Sequence, residues 1–217
     1  MFNEDKSSFL TRWYFTVRTN FNYHFFFKKR VASMSSRPLV WGIWNVVLYG
    51  PNIHLGNRVV IVGANGYRTS LTTVKHKKGE GHISIGDRVL VMNGVRISSA
   101  SEIRIGDDCM LANFCYLTDA DWHDIHDRTD SPGRTAPIIL ERGAWIGDSA
   151  IICKGVRIGE NSIVGAGSVV RRDVPPNSVA IGNPARVVKE LDPERIVLMK
   201  KLYKDMGMPG HDGGEEQ

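Results

Sequence analysis

Residues 117–128, LTDADWHDIHDR, hold the side chains in this sequence best suited to moving a proton. His123 and His126 stand three apart among Asp119, Asp121, Asp124 and Asp127. A neutral imidazole, with an ordinary pKa of about 6.5, can act as a general base near neutral pH. Asp119, Asp121 or a backbone carbonyl could hold the second ring nitrogen of His123. The aspartates could also accept hydrogen bonds from substrate hydroxyls. Trp122 could stack on a sugar ring or anchor the loop. Without supporting structure the same residues are a solvated acidic loop, so the flanking sequence must decide between these readings.

The flanks carry a repeat. From Leu140 the chain reads LERGAW IGDSAI ICKGVR IGENSI VGAGSV VRRDVP, six consecutive hexads. The first position is always a large aliphatic: Leu140, Ile146, Ile152, Ile158, Val164, Val170. The fifth is usually small: Ala144, Ala150, Val156, Ser162, Ser168, Val174. A period of six fits neither the 3.6 of a helix nor the 2 of a long strand. It fits short strands separated by tight turns. Three hexads then close one triangular coil, and coils stack at strand spacing, about 4.8 Å. The same beat appears earlier, at Leu55–Val59, at IGDRVLVMNGVRISSASE (85–102) and at IGDDCMLANFCY (105–116). Two stretches break it: the basic YRTSLTTVKHKKGEGH (67–82), and residues 118–137, which contain His123. Long loops on a rigid support tend to be functional.

The expected architecture is an all-β solenoid with two excursion loops. An aromatic N-terminal segment (1–52) caps its open end, as terminal coils of a solenoid require. The solenoid spans 53–191. A C-terminal helix covers 192–207, with Asp192 as N-cap, Pro193 at the first helical position and Gly207 at its end. The tail 208–217 is expected to be disordered.

Composition narrows the function. Net charge is +5, and no helix-turn-helix, zinc-finger or RNA-binding signature is present, so nucleic acid is not an expected partner. Cys109, Cys115 and Cys153 are odd in number and lack CxxC spacing, which points to free thiols in a reducing cytoplasm. The longest apolar run, LVWGIWNVVLYG (39–50), is shorter than the ~20 residues a membrane span needs. FNYHFFFKKR (21–30) shows no clean amphipathic helix with a basic face, so contact with a membrane surface is only a secondary expectation.

The hexads, followed by GNPARVVKEL (182–191), resemble the hexapeptide-repeat acyltransferases over about residues 53–191. The resemblance is closest to the sugar O-acetyltransferase branch. It implies a left-handed parallel β-helix, a homotrimer, and acetyl-CoA bound in grooves between subunits. It also implies transfer of acetyl to a hydroxyl of a sugar or glycan precursor, by direct attack on the thioester. His123 falls where the family has its catalytic base. His126 resembles a second histidine of the sugar branch, although that branch often carries His-Pro where this chain has His123-Asp124. By the same resemblance Asn93 and Gly94 belong to the neighbouring subunit's side of the groove. Asp148 lies near the thiol end, and Ala166 lines the pantetheine arm. Arg171 and Arg172 contact the cofactor, and Arg186 and Lys189 lie near the nucleotide phosphates. No resident metal is expected.

Three other readings are kept open. One is N-acetylation of an amino or nucleotide sugar. The second is a metal enzyme of the carbonic-anhydrase type, although no pair of histidines five apart follows His126. The third is a solenoid that acts only as a scaffold.

Overall fold

The computed structural model describes residue 17 and residues 20–198. Parallel strands dominate it and form three sheets, in six-, eight- and six-stranded stacks. The chain visits the sheets in rotation. Ile53–Leu55 is followed by Val60–Val62 and Thr69–Thr73, and the next turn lays His82–Ile85, Leu90–Val91 and Arg96–Ser99 directly above them.

Alternation within each short strand explains the core. Ile53, Ile83, Ile103 and Ile138 stack in register along the first sheet, and all are fully buried. Ile61, Val91, Leu111 and Ile146 do the same on the second, and Leu71, Ile97, Leu117 and Ile152 on the third. Burying such a side chain stabilises the fold by about 1.5–3 kcal/mol. A continuous interior column therefore outweighs the conformational cost of strands only two to five residues long.

The hexads have a simple geometric basis. The fourth position takes a left-handed backbone: Gly143, Ser149, Gly155, Asn161 and Gly167 all have positive φ. The small fifth residue then points inward at the corner, and Ala144, Ala150, Ser162 and Ser168 are fully buried. Gly147, at a second position, has a different reason to be glycine. A Cβ there would lie 2.6 Å from the backbone of the next coil, at Ala166 N and Val164 O.

The structure differs from the expected boundaries in two places. Ser33–Met34, Leu39–Trp41 and Val46–Tyr49 pair in parallel with Ile53–Leu55, Val60–Val62 and Thr69–Thr73. The solenoid therefore begins near Ser33 rather than at 53. Aromatic residues on the outward positions of this first coil hide its beat. The first excursion is also shorter than 67–82. Thr69, Leu71 and Thr73 are inward residues of a third-sheet strand, and only a small hairpin, Lys75–His76 with Gly79–Glu80, leaves the coil. Threonine looks polar in the sequence, yet its branched side chain suits a strand.

Tyr23 and Phe27, from the helical turns before the first coil, join the main core cluster. At the other end, Ser178–Gly182 turns back into Ala185–Glu190, the antiparallel last strand of the second sheet. Helix follows at 193–198, where the Asp192 carboxylate accepts from the Glu194 amide at 2.9 Å, as an N-cap should. The rest of the expected helix, the tail 208–217 and residues 1–16 lie outside the described residues. No helix among the described residues is long and apolar enough to cross a membrane.

Candidate active site

The loop bearing His123 leaves the solenoid at the corner between the third and first sheets, after Tyr116–Thr118, and rejoins it at Ile138–Leu140. Its stems are tied together. The Asp121 amide donates to Arg134 O and the Ala136 amide to Asp119 O, both at 2.9 Å, and Ala120 bridges Thr135. Asp119 is fully buried at the root. Its carboxylate accepts from Ser99 Oγ (2.7 Å), the Ala100 amide (2.7 Å) and the Ser101 amide (2.9 Å). With both oxygens engaged and no solvent exposure, Asp119 anchors the loop and is not open to a substrate. This corrects its sequence-based placement among the substrate ligands. The polar column beneath the loop, Asp119 over Ser99 over Thr73, interrupts the aliphatic ladder where the chain must depart.

His123 itself is held on three sides. Trp122 adopts a positive φ of 55°, and its indole N–H reaches Thr118 Oγ1 (3.0 Å) and Tyr116 Oη (3.2 Å). These bonds fasten the indole to the edge of the solenoid. Gly133 packs so closely that an added Cβ would stand 2.5 Å from His123 O. The ring nitrogen Nδ1 lies 2.8 Å from Arg128 O. A carbonyl can only accept, so Nδ1 carries the hydrogen and Nε2 keeps its lone pair. The His123 side chain is exposed. The group that orients it is thus a backbone carbonyl, the one option of the three that has no side-chain signature in a sequence.

The surrounding charges are mostly occupied. Asp121 pairs with Lys154 at 2.6 Å, and Asp130 pairs with Lys78, from the first hairpin, at 2.6 Å. Asp124 accepts from the His126 and Asp127 amides, and these bonds hold its carboxyl below the usual carboxylate range. Asp127 is lowered too, first by the Thr129 hydroxyl and then by its amide. The apparent acidic cluster is therefore largely a set of turns closing on themselves. His126 is exposed. Burial pushes the Cys109 and Cys115 thiols up to about 12, and Cys153 is raised by the same cause, so none is a ready nucleophile. Among the described residues no three His, Cys, Asp or Glu side chains come together as a metal-binding group.

The residues expected near the cofactor fall in two places. Asn93, Asp148 and Ala166 stack along the corner between the second and third sheets, in a column that also contains Asn113. They are linked by Phe114 N to Asn93 O (3.1 Å), Ser149 N to Asn113 O (2.9 Å) and Gly167 N to Asp148 O (2.7 Å). Gly94 is buried in this corner, and its amide donates to Thr69 Oγ1 at 3.1 Å. Any Cβ there would meet the Phe114 ring. Arg186, opposite Ile181, lies at the end of the same corner, and Lys189 pairs with Val179 further along that strand. Both side chains are exposed. Arg171 and Arg172, also exposed, follow Val169–Val170 and so share the other corner, that of the His123 loop. Within one chain the two corners are separated by the width of the third sheet. At about 3.3 Å per residue, the length of its longest strand, Thr69–Thr73, gives roughly 15 Å.

Comparison with known proteins places this geometry in a class. Residues 137–172 match the family described as bacterial transferase hexapeptide (six repeats). The chain carries that repeat, and the solenoid is its structural expression. The galactoside O-acetyltransferase of Escherichia coli (strain K12) is 33% identical over 147 residues, covering 66% of this chain. The chain spans 57% of that relative's length. A solved variant of AntD, described as an N-acyltransferase from Bacillus cereus in complex with coenzyme A and dTDP-4-amino-4,6-dideoxyglucose, has a TM-score of 0.52 at 19% identity. The match covers 82% of this chain and 94% of AntD, and it speaks for the fold.

Proposed function

We propose that the chain is an acetyl-CoA-dependent O-acetyltransferase acting on a hydroxyl of a sugar or glycan precursor. The observation that carries this is the His123 ring. Its Nδ1 is tied to Arg128 O and its Nε2 lone pair is free, at the break in a hexapeptide solenoid. The similarity to galactoside O-acetyltransferase favours a hydroxyl over an amine as acceptor.

In the reaction so read, the acceptor O–H approaches His123 Nε2. As the proton moves to the ring, the oxygen attacks the thioester carbonyl carbon. The tetrahedral oxyanion collapses, the C–S bond breaks, and the departing thiolate takes the proton from the imidazolium. No covalent enzyme intermediate is needed, because the thioester is already activated. Arg128 O accepts a stronger hydrogen bond as the ring becomes charged, which favours the transition state over the ground state. The pantetheine arm would run along the Asn93–Asp148–Ala166 corner, where side chains are short. Arg186, and beyond it Lys189, would meet the phosphates.

The two corners that carry these groups lie on different edges of one prism. The reading therefore places the reacting centre between subunits, with the His123 loop, Arg171 and Arg172 from one and the cofactor corner from its neighbour. The outward face of the second sheet supports such an assembly. Leu39, Val60, Leu90, Met110, Trp145 and Ile163 stand in register along it, a continuous apolar stripe of the kind subunit interfaces bury. A homotrimer wound in the left-handed sense is the form that the hexapeptide repeat implies. The cytoplasm is the compartment that supplies acetyl-CoA and keeps thiols reduced.

The test is CoA release from acetyl-CoA against a panel of sugars and amino sugars. Turnover with hydroxyl acceptors, lowered about 10²- to 10⁴-fold in His123→Ala, is expected. Undiminished turnover in that variant would remove His123 as the base, and turnover confined to amino sugars would move the reaction to nitrogen.

A further inference from the structure

We propose that Tyr67 and Phe114 form an aromatic platform on which the pyranose ring of the acceptor lies. This rests on the transferase reading and adds to it the residues that select the acceptor.

Phe114 occupies a costly backbone position. It is the fourth residue of the hexad LANFCY, and its φ is +59°. Neighbouring coils put Gly94, Ser149 and Gly167 at the same place on this corner. A bulky side chain is uncommon in the left-handed region, because its Cβ crowds the backbone. Among the described residues the one other aromatic held this way is Trp122, beside His123. Backbone strain of this kind tends to be kept where function needs it.

Two neighbours are fitted to the Phe114 ring. Gly94, one coil earlier, leaves the space the ring fills, since any Cβ there would meet Phe114 Cδ1 and Cε1. Tyr67, one coil earlier again, meets the ring edge-to-face, with centroids 5.0 Å apart and planes at 77°. Yet neither ring joins the buried core, and Tyr67 is 56% and Phe114 38% exposed. A strained residue and a matched glycine thus hold up an aromatic pair that faces solvent.

Their place along the corner gives the pair a task. In the transferase reading the phosphates meet Arg186, the arm runs past Ala166, and the thiol ends near Asp148. Phe114 and Asn93 come next in the column, on the side away from the phosphates. The acetyl group and the acceptor meet there. A pyranose presents a face of C–H groups and a rim of hydroxyls. The aromatic pair would take the face, and the Asn93 carboxamide, which both donates and accepts, would take the rim. An open-chain polyol has the same hydroxyls without the face.

The experiment measures binding and acetyl transfer side by side for methyl β-galactopyranoside, methyl α-glucopyranoside and open-chain glucitol. The pyranosides should bind about tenfold more tightly than glucitol, as one aromatic contact implies. Phe114→Gly removes the ring and the backbone strain together. It should raise KM or Kd for the pyranosides about tenfold, with acetyl-CoA affinity and melting temperature unchanged. Tyr67→Leu should act in the same direction, by a smaller factor. Transfer to pyranosides with unchanged KM in both variants overturns the proposal and leaves the transferase reading standing. Pyranoside binding that both variants weaken, without any acetyl transfer, keeps the platform and removes the transferase reading. No pyranoside binding by the wild type overturns the proposal. A raised KM for acetyl-CoA alone would assign the ring to the pantetheine arm, and a change of oligomeric size in Phe114→Gly would assign it to a subunit contact. Either result overturns the platform.

Discussion

Two residues of the loop look alike in the sequence and do opposite work. Asp119 and His123 both stand in a polar run, but one is buried root and the other exposed tip. Asp119 accepts from three donors; without it the Ala100 and Ser101 amides lose their partner at the point of departure, whereas Ser99 Oγ can still turn to His82 O at 3.1 Å. Leaving such groups unsatisfied costs about 1–3 kcal/mol each. Asp119→Ala should therefore lower unfolding free energy by roughly 3 kcal/mol or more in chemical denaturation. Asp119→Asn, which keeps one acceptor oxygen, should lose less. Equal stability of wild type and Asp119→Ala would mean that the column beneath the loop is not what holds it. His123→Ala should instead leave denaturation unchanged, because the side chain is exposed and its ring hydrogen bond runs to the Arg128 carbonyl at the loop tip. A sequence cannot separate these roles, since burial of one aspartate among four depends on the Ser99 and Ser101 positions one coil below.

At the scale of elements, the hexads made the solenoid legible. The aliphatic of each hexad and the small residue four places on are the buried columns of the structure, from Leu140 and Ala144 to Val170. The first coil was not legible, because its strands pair in parallel while displaying Leu39, Trp41 and Tyr49 outward. Thr69–Thr73 reads as excursion in the sequence because its inward residues include polar threonines. For the site, the break at 118–137 gave the loop, while its fastening by Trp122, Arg128 O and Gly133 depends on backbone geometry that spacing does not encode. Gly133 gives a test. An alanine Cβ would press on His123 O and C at 2.5 and 2.7 Å, both backbone atoms that cannot swing aside. Gly133→Ala should move the base, and a displacement near 1 Å can cost about 10²-fold in turnover. Acetyl-CoA affinity and thermal stability should barely change, because the loop stands outside the core. A loss of affinity matching the loss of turnover would show that the loop also holds the cofactor.

At the scale of the molecule, the proposed site is shared between subunits, and the second sheet offers the surface such an assembly would bury. Its outward column is apolar from Leu39 to Ile163, whereas the corresponding positions on the first sheet include His54, Ser84, Arg104 and Arg157. Trp145 is 43% exposed in the middle of that column. Trp145→Glu should dissociate the assembly to monomers in light scattering, and it should remove turnover although no proposed catalytic group has changed. A monomeric wild-type chain with full turnover would contradict a site shared between subunits.

The account depends most on acetyl-CoA meeting the corner of Asn93, Asp148 and Ala166, with Arg186 beyond them. Calorimetric titration of acetyl-CoA into the purified chain, beside Arg186→Ala, measures this without knowledge of the acceptor. Saturable binding that weakens by about tenfold or more in the variant, as loss of a charged phosphate contact implies, is the predicted result. Absence of binding at millimolar acetyl-CoA by an intact assembly would contradict the transferase reading.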